Sequence, residues 1–232
     1  MTLENITGNL LAYKQLEPGT FLHVDQLTIE RRTNIRFRYQ RLYAADGAMY
    51  TVDRSKPLWV ITREPQNLVL QNIDEAYRQL TGQWNYFPDT ESARVSVAHP
   101  DSVEVDLKGL ELVRDNVEYG RFRVDPRNVQ QLNSEQRKAA QRIYGPDEEN
   151  FSLNMEMFAE AKKTPSVFVL MPDYVQDTLR SNDQEFLGRV SLLSGFNVDS
   201  SFSALVCNVG GCDCLRGVRR EDVARSAGAP ES

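Results

Sequence analysis

Apolar and polar residues alternate along the first part of the chain in the pattern that is typical of β-strands. Residues 21–31 and 35–43 show this period of two, so both are predicted to be strands. The stretch 45–47 (Ala-Asp-Gly) is a turn signal, and residues 49–52 are predicted as the return strand of a hairpin. Residues 57–62, with the sequence PLWVIT, predict a further, buried strand.

A change of period indicates one helix before residue 90. Asn72 and Glu75 have the spacing of a capping box, and Gly82 follows as a stop signal. The apolar residues between them lie at i, i+3, i+4 and i+7, which predicts one buried face: Ile73, Ala76, Tyr77 and Leu80.

Two features after this helix bear on the organisation of the chain. The aromatic residues Trp84, Tyr86 and Phe87 fit either a carbohydrate or peptide platform or packing in a core or an interface, and packing is favoured. The polar stretch 88–92 has no periodicity and predicts a domain boundary.

The second part of the chain predicts four more alternating strands and one continuous one. The alternating strands are expected at 94–98, 103–107, 110–113 and 119–124. Residues 166–171 (SVFVLM) form an unbroken apolar run between two prolines, which predicts a central strand.

Three helices are predicted around that central strand. Asn133 and Gln136 form a second capping box, and Gly145 ends the helix that it begins. The next helix is expected over 152–163, preceded by the acidic stretch 147–149, which favours a helix N-terminus over an acid/base pair. Its apolar face is predicted from four residues, Leu153, Met157, Phe158 and Ala161. A third, short helix is expected over 173–180.

Composition and charge exclude several classes of protein. The chain has 232 residues, 41% of them hydrophobic and 26% charged, which is ordinary for a globular protein. A net charge of -6 argues against nucleic-acid binding, and the basic stretch 31–41 alternates like a half-exposed strand. No apolar run reaches the roughly 20 residues that span a bilayer, and no signal peptide is recognised at the N-terminus. We therefore expect no membrane span and no secretion through a signal peptide.

The residues that usually carry chemistry do not assemble into a motif. Cys207, Cys212 and Cys214 are the three cysteines of the chain, and their spacing does not fit the paired knuckles of a structural zinc site. His23 and His99 have no recognisable nucleophile or acid partner in the sequence. The expectation is a protein that is not an enzyme, with no metal, no cofactor and no catalytic residue.

The window 190–214 differs in composition from the rest of the chain. It contains no Lys, Glu, Gln, Met or Trp, and it contains all three cysteines. Every residue type in it can be encoded by a codon that ends in C or T, and the five missing types cannot. Asn codons (AAC) with both adenines randomised would generate this repertoire.

Three features frame the variable positions of this window. They are Phe196, the stretch 201–204 (Ser-Phe-Ser-Ala) and the closing stretch 215–219 (Leu-Arg-Gly-Val-Arg). In these residues the chain resembles the variable proteins of diversity-generating retroelements. That resemblance implies a C-type lectin fold whose C-terminal region is rewritten by adenine-specific mutagenesis during reverse transcription. It covers about 30 residues.

The elements and the resemblance together predict an α+β protein. A C-type-lectin-like domain of the formylglycine-generating-enzyme-like type is expected over 93–222, with the variable region at 189–216. Residues 1–92 are expected to be a β-rich N-terminal region with one helix, either separate or part of the same domain. Residues 223–232 are small and polar and are expected to be a flexible tail.

A segment that accepts many side chains must place its changeable positions in solvent. Burial of one Leu, Val or Phe side chain is worth about 1.5–3 kcal/mol, whereas exposed substitutions usually stay within about 0.5 kcal/mol. The expected scaffold anchors are Arg189, Phe196, Phe202, Ala204, Leu215, Arg216, Val218 and Arg219. The expected ligand-binding face comprises Ser194, Gly195, Asn197, Val198, Asp199, Ser203, Leu205, Cys207, Asn208, Val209, Gly210, Gly211, Asp213 and Cys214.

The face is small and apolar in this sequence, which favours a protein ligand or a cell-surface receptor as its partner. The resemblance implies receptor selection, as by a phage tail protein, with display on a virion and a multivalent or homo-oligomeric arrangement. Two alternatives stay open. One is an intracellular (cytoplasmic) or surface protein-binding module with the same face, and the other is a plain structural virion protein.

Overall fold

The computed structural model shows an α+β protein, in agreement with the pattern of predicted elements. It describes residues 4–7, 41–62, 85–145, 147–194, 202–203 and 214–217. The predicted strand at 21–31, residues 35–40 of the strand predicted at 35–43, the helix after Asn72 and the tail 223–232 lie outside the described residues, whereas residues 41–43 are in a strand, as predicted. Within the part that is described, no helix is long and apolar enough to span a bilayer.

The strands of the described residues form one mixed sheet. They are β1 (Glu4–Thr7), β2 (Arg41–Asp53), β3 (Lys56–Thr62), β4 (Val103–Asp106), β5 (Val113–Arg114), β6 (Tyr119–Arg123), β7 (Ser166–Leu170), β8 (Phe186–Ser194), β9 (Phe202–Ser203) and β10 (Cys214–Gly217). Their order is β1-β10-β2-β8-β9-β7-β6-β5, and β3 pairs with β2 and β4. Strands from both sides of the domain boundary predicted at residue 92 therefore belong to one sheet. Whether residues 1–92 fold separately or as part of the same domain stays a prediction.

The strand β2 is continuous where the sequence predicted a turn at 45–47, so that prediction is wrong. Its pairing with β8 is irregular between Tyr43 and Gly47, which pair with Leu192 and Val190. β2 thus accommodates its extra residues as a β-bulge. Strands pair with β2 before and after this stretch, at residues 41–43 and from Gly47 onward, and these pairings outweigh the weak β-propensity of Ala-Asp-Gly.

Four α-helices accompany the sheet in the described residues: α1 (Thr90–Val97), α2 (Ser134–Tyr144), α3 (Glu148–Glu160) and α4 (Pro172–Ser181). The helix α1 replaces the strand predicted at 94–98. The side chain of Asp89 caps it by accepting a hydrogen bond from the Ser92 N–H. Ala93 is buried, whereas Val95 is 69% exposed. The alternation of apolar and polar residues at 94–98 therefore does not correspond to the residues that are buried.

The start of α2 confirms the predicted capping box. Asn133 Oδ1 accepts from the Gln136 N–H at 2.9 Å, and Gln136 Oε1 accepts from the Asn133 N–H at 3.3 Å. The two side chains also donate to the carbonyls of Gly109 and Leu110, which fixes the helix to the loop after β4. The helix ends at Gly145, as predicted, and a Cβ on that residue would collide with the backbone of Phe151.

The helix α3 begins four residues before its predicted start, because Asp147 caps it and Glu148 lies in its first turn. This confirms that the acidic stretch favours a helix N-terminus. The predicted apolar face is displaced: the buried residues are Asn150, Phe151, Asn154, Met155 and Phe158. Of the predicted set only Phe158 is fully buried.

The core forms where α2, α3 and α4 pack on the sheet, with β7 buried as predicted. Tyr144 and Phe158 meet edge to face at 5.5 Å, and Asn154 Nδ2 donates to the Tyr144 carbonyl at 2.6 Å. Trp59 and Tyr50 are also fully buried.

Candidate functional site

Three strands of the C-terminal segment 189–216 are joined to the sheet. Ser194, at the end of β8, pairs with Arg41 of β2. In β9, Phe202 pairs with Leu193 on one side and Val167 on the other. In β10, Cys214 pairs with Leu42 and with Thr7. The segment is therefore attached at its start, near its middle and at its end.

Most of the predicted binding face lies between these attachments, outside the described residues. Ser194, Ser203 and Cys214 are strand residues, and the others fall in 195–201 and 204–213: Gly195, Asn197, Val198, Asp199, Leu205, Cys207, Asn208, Val209, Gly210, Gly211 and Asp213. Among the predicted anchors, Phe202, Leu215 and Arg216 occupy strand positions. Phe196, Ala204, Val218 and Arg219 also lie outside the described residues. The division into anchors and binding face stays a prediction.

Arg189, at the head of the segment, lies in the protein interior. It pairs with Ala48 in the sheet, and its side chain is 1% exposed. Its Nη2 donates to Glu118 Oε1 at 2.6 Å and to Asn85 Oδ1 at 2.8 Å. A buried guanidinium is stable only with such partners, because loss of hydration costs several kcal/mol per ion.

Tyr50 is a further buried polar residue near this ion pair. It lies on β2, is fully buried, and its hydroxyl accepts a hydrogen bond from the Leu170 N–H at 3.4 Å. Burial raises the pKa of the Tyr50 phenol, and the nearby charges of Arg189 and Glu118 act on it in opposite directions. We refer to Arg189, Glu118, Asn85 and Tyr50 as the Arg189 cluster.

The sheet leaves room for this cluster between β8 and β7. The two-residue strand β9 pairs with β7 only at Val167 and Phe168. Further along β8, the Gly188 N–H donates to the carbonyl of Tyr86 at 2.7 Å, so a loop replaces β9 as the neighbour of β8. Gly188 and Arg189 therefore lie outside the part of β8 that pairs with β9, which is Leu192 and Leu193.

Sequence reasoning identified Arg189 and missed its partners. Asn85 and Glu118 lie 104 and 71 residues away along the chain, so no local pattern signals the contact. The packing interpretation of the aromatic group is confirmed for Tyr86, which is buried, and for Phe87, which packs against the core. Trp84 lies outside the described residues.

Metal-ligating side chains are not brought together in the described part of the chain. There, no three His, Cys, Asp or Glu side chains form a group that could hold a metal ion. His99 Nδ1 accepts a hydrogen bond from the Asp101 N–H, which is a turn contact. Cys207, Cys212 and His23 are outside the described residues.

The chain has the C-type lectin fold. It resembles a solved structure from work on the accommodation of massive sequence variation in Nanoarchaeota by the C-type lectin fold, with a TM-score of 0.62. The two share 12% sequence identity, and the match covers 94% of this chain and 97% of that chain. No protein-family model and no curated protein matches the sequence.

Proposed function

We propose that this protein binds a protein ligand or cell-surface receptor through the segment 189–216, and that the segment is diversified by adenine-specific mutagenic reverse transcription. In the most specific form of the proposal it is a viral tail protein that selects a receptor. It acts by binding and carries out no catalysis.

One observation supports this proposal above the others: the window of restricted composition lies between a buried residue of β8 and the strand β10. The restricted window 190–214 begins one residue after the buried Arg189. It ends at Cys214, the first residue of β10. The window therefore takes in the last five residues of β8, both residues of β9 and the first residue of β10, together with the chain between these strands, where we expect substitutions to be least costly to the core.

The fold supports the same reading. The C-type lectin fold of the similar structure accommodates massive sequence variation in its own source. In this chain, the side chains of the window are small and apolar, with Val, Leu and Gly and only two acidic residues, Asp199 and Asp213. Such a face gains affinity by shape and apolar burial, which fits a protein surface. One shallow site is weak, so display in several copies on a virion would raise its avidity.

The test is a binding screen with two forms of the full chain. One form has the natural sequence, and the other has Asn at the predicted face positions 194, 195, 197–199, 203, 205, 207–211, 213 and 214. Both are displayed at equal density and exposed to the same panel of cell surfaces and surface proteins. Selective binding by the natural form alone is expected. Equal binding by both forms would exclude a ligand-recognising role for these side chains.

The gene supplies an independent control. Codons of the face positions should end in C or T, and a near-copy with AAC at the same positions should lie close to the gene. If the protein binds selectively but its gene has no such near-copy, the ligand-binding part of the proposal stands and the mutagenic part is excluded.

A further inference from the structure

We infer that Glu118 is a positioning residue of the binding segment: through Arg189, it fixes the strand from which that segment starts. This inference rests on the proposed function, because it concerns how the proposed binding segment is held. Glu118 lies outside 189–216 and would be constant while the segment changes.

The first step is the position of Arg189 in β8. It is the last residue before the window 190–214, and β8 continues from it to Ser194. Beyond Arg189, the β8 residues Leu192 and Leu193 pair with β9. A change in the position of Arg189 would therefore be carried along β8 into the pairing that holds the middle of the segment.

The second step is the cost of this arrangement. Arg189 is buried, whereas the side chain of Glu118 is 38% exposed. The Nε of Arg189 has no hydrogen-bond partner among the described residues, which adds to the cost of burial. An apolar side chain of similar volume would often be as stable here. The ion pair therefore acts mainly by fixing the position of β8, and its contribution to the free energy of unfolding is the lesser effect.

The third step is that Glu118 is itself held by other contacts. Its N–H donates to Asn116 Oδ1 at 2.8 Å, and its carbonyl accepts from the Met171 N–H at 2.9 Å. Arg114 Nη1 donates to the neighbouring carbonyl of Val117 at 3.2 Å. The β5–β6 hairpin thus presents the carboxylate from a fixed backbone, and Glu118→Ala removes the contact with Arg189 while leaving the hairpin bonded.

Hydrogen–deuterium exchange of the full chain tests the inference without any ligand. In Glu118→Ala, amides of residues 190–194 and 202–203 are expected to exchange about tenfold faster than in the natural chain. Amides of α2 should accelerate by a much smaller factor, because loss of one partner of a buried ion pair also lowers the global stability. Glu118→Gln, which retains a carbonyl oxygen able to accept from Arg189, should give rates between those of the natural chain and of Glu118→Ala.

Asp173→Ala provides a matched control. It removes an ion pair of the same 2.6 Å length, between Asp173 and Arg114 of the same hairpin, but one that does not involve β8. It should leave exchange in 190–194 unchanged. Similar rates in β8 for both variants and the natural chain would overturn the inference. A uniform rise that includes α2 would also overturn it, because Glu118 would then act only through global stability.

This experiment can fail separately from the proposed function. If Glu118→Ala shows faster local exchange but the binding screen is negative, ligand recognition is excluded. The role of Glu118 in positioning β8 then still stands. If the binding screen is positive but exchange in Glu118→Ala is unchanged, the proposed function stands and the positioning role of Glu118 is excluded.

Discussion

Ser194 and Cys214 lie on opposite sides of the start of β2, because Ser194 pairs with Arg41 and Cys214 pairs with Leu42. Two strand spacings separate them, a distance of about 10 Å. Between them the chain also pairs at Phe202 and Ser203, on the other side of β8. The first and last attachments of the segment are thus close together at the start of β2.

The first prediction compares two positions of the segment. Phe202→Ala, at a position paired on both sides within the sheet, is expected to lower the free energy of unfolding by about 3 kcal/mol or more. Val209→Asn, at a predicted face position, is expected to change it by less than about 0.5 kcal/mol. Urea unfolding followed by tryptophan fluorescence measures both. A larger loss for Val209→Asn than for Phe202→Ala would invert the predicted division into anchors and face.

The second prediction concerns the capping box of α2. Asn133→Ala removes the bond to the Gln136 N–H and the bond to the Gly109 carbonyl, and should cost about 1–2 kcal/mol. Asn128→Ala is the control, because Asn128 precedes a short 3-10 helix without a side-chain capping bond. It should stay within about 0.5 kcal/mol in the same urea measurement. Equal losses in the two variants would mean that the capping contacts do not stabilise α2.

The third prediction is a loss of stability at alkaline pH that depends on Tyr50. Burial raises the pKa of this phenol above its ordinary value of 10.0. The neutral phenol therefore stabilises the folded state fully below pH 10, and this contribution is lost as the pH rises further. Above that value, the free energy of unfolding of the natural chain should fall by up to about 1.4 kcal/mol per pH unit faster than that of Tyr50→Phe.

Urea titrations from pH 8 to pH 11 measure this difference. At neutral pH, Tyr50→Phe should be less stable by about 1 kcal/mol, because the Leu170 N–H loses an acceptor. The gap between the two proteins should then narrow as the pH rises. A constant gap across the range would contradict the prediction.

The fourth prediction concerns acid. The hydrogen bond from Arg114 holds the pKa of Asp173 below its ordinary value of 3.8. The pair therefore contributes stability above that value and loses it as the pH falls through the lower, folded-state pKa. Arg114→Ala should raise the pKa of Asp173 toward 3.8, as measured by carbon NMR of the carboxyl group. Arg180→Ala, which removes the Asp177 pair elsewhere on α4, should leave it unchanged.

Elements with a strong local signal could be predicted from the sequence. The capping box at Asn133 and the proline-bounded run of β7 each combine two independent signals, and both are correct. The helix α1 was missed because Arg94, Val95 and Ser96 alternate by chance. The spacing of Asp89 and Ser92, an N-cap side chain and the N–H that it binds, is the signal that would have identified it.

Tertiary contacts account for the other differences. The turn signal at 45–47 was overridden by strands on both sides of β2, which only the folded chain provides. The partners of Arg189 were equally inaccessible to sequence reasoning, since they come from two distant loops. The composition of the window predicts where the candidate site lies along the chain. It does not predict the contacts of Arg189 with Asn85 and Glu118 at the start of that segment.

The bulge in β2 has a consequence for how the segment could change in length. It separates the pairing of residues 41–43, next to Ser194 and Cys214, from the pairing of residues 47–53 with β3. An inserted or deleted residue in 195–213 that shifts the outer pairing by one step can be taken up at the bulge, while the inner pairing keeps its partners. The proposed diversification of the segment could then extend from the identity of its side chains to their number.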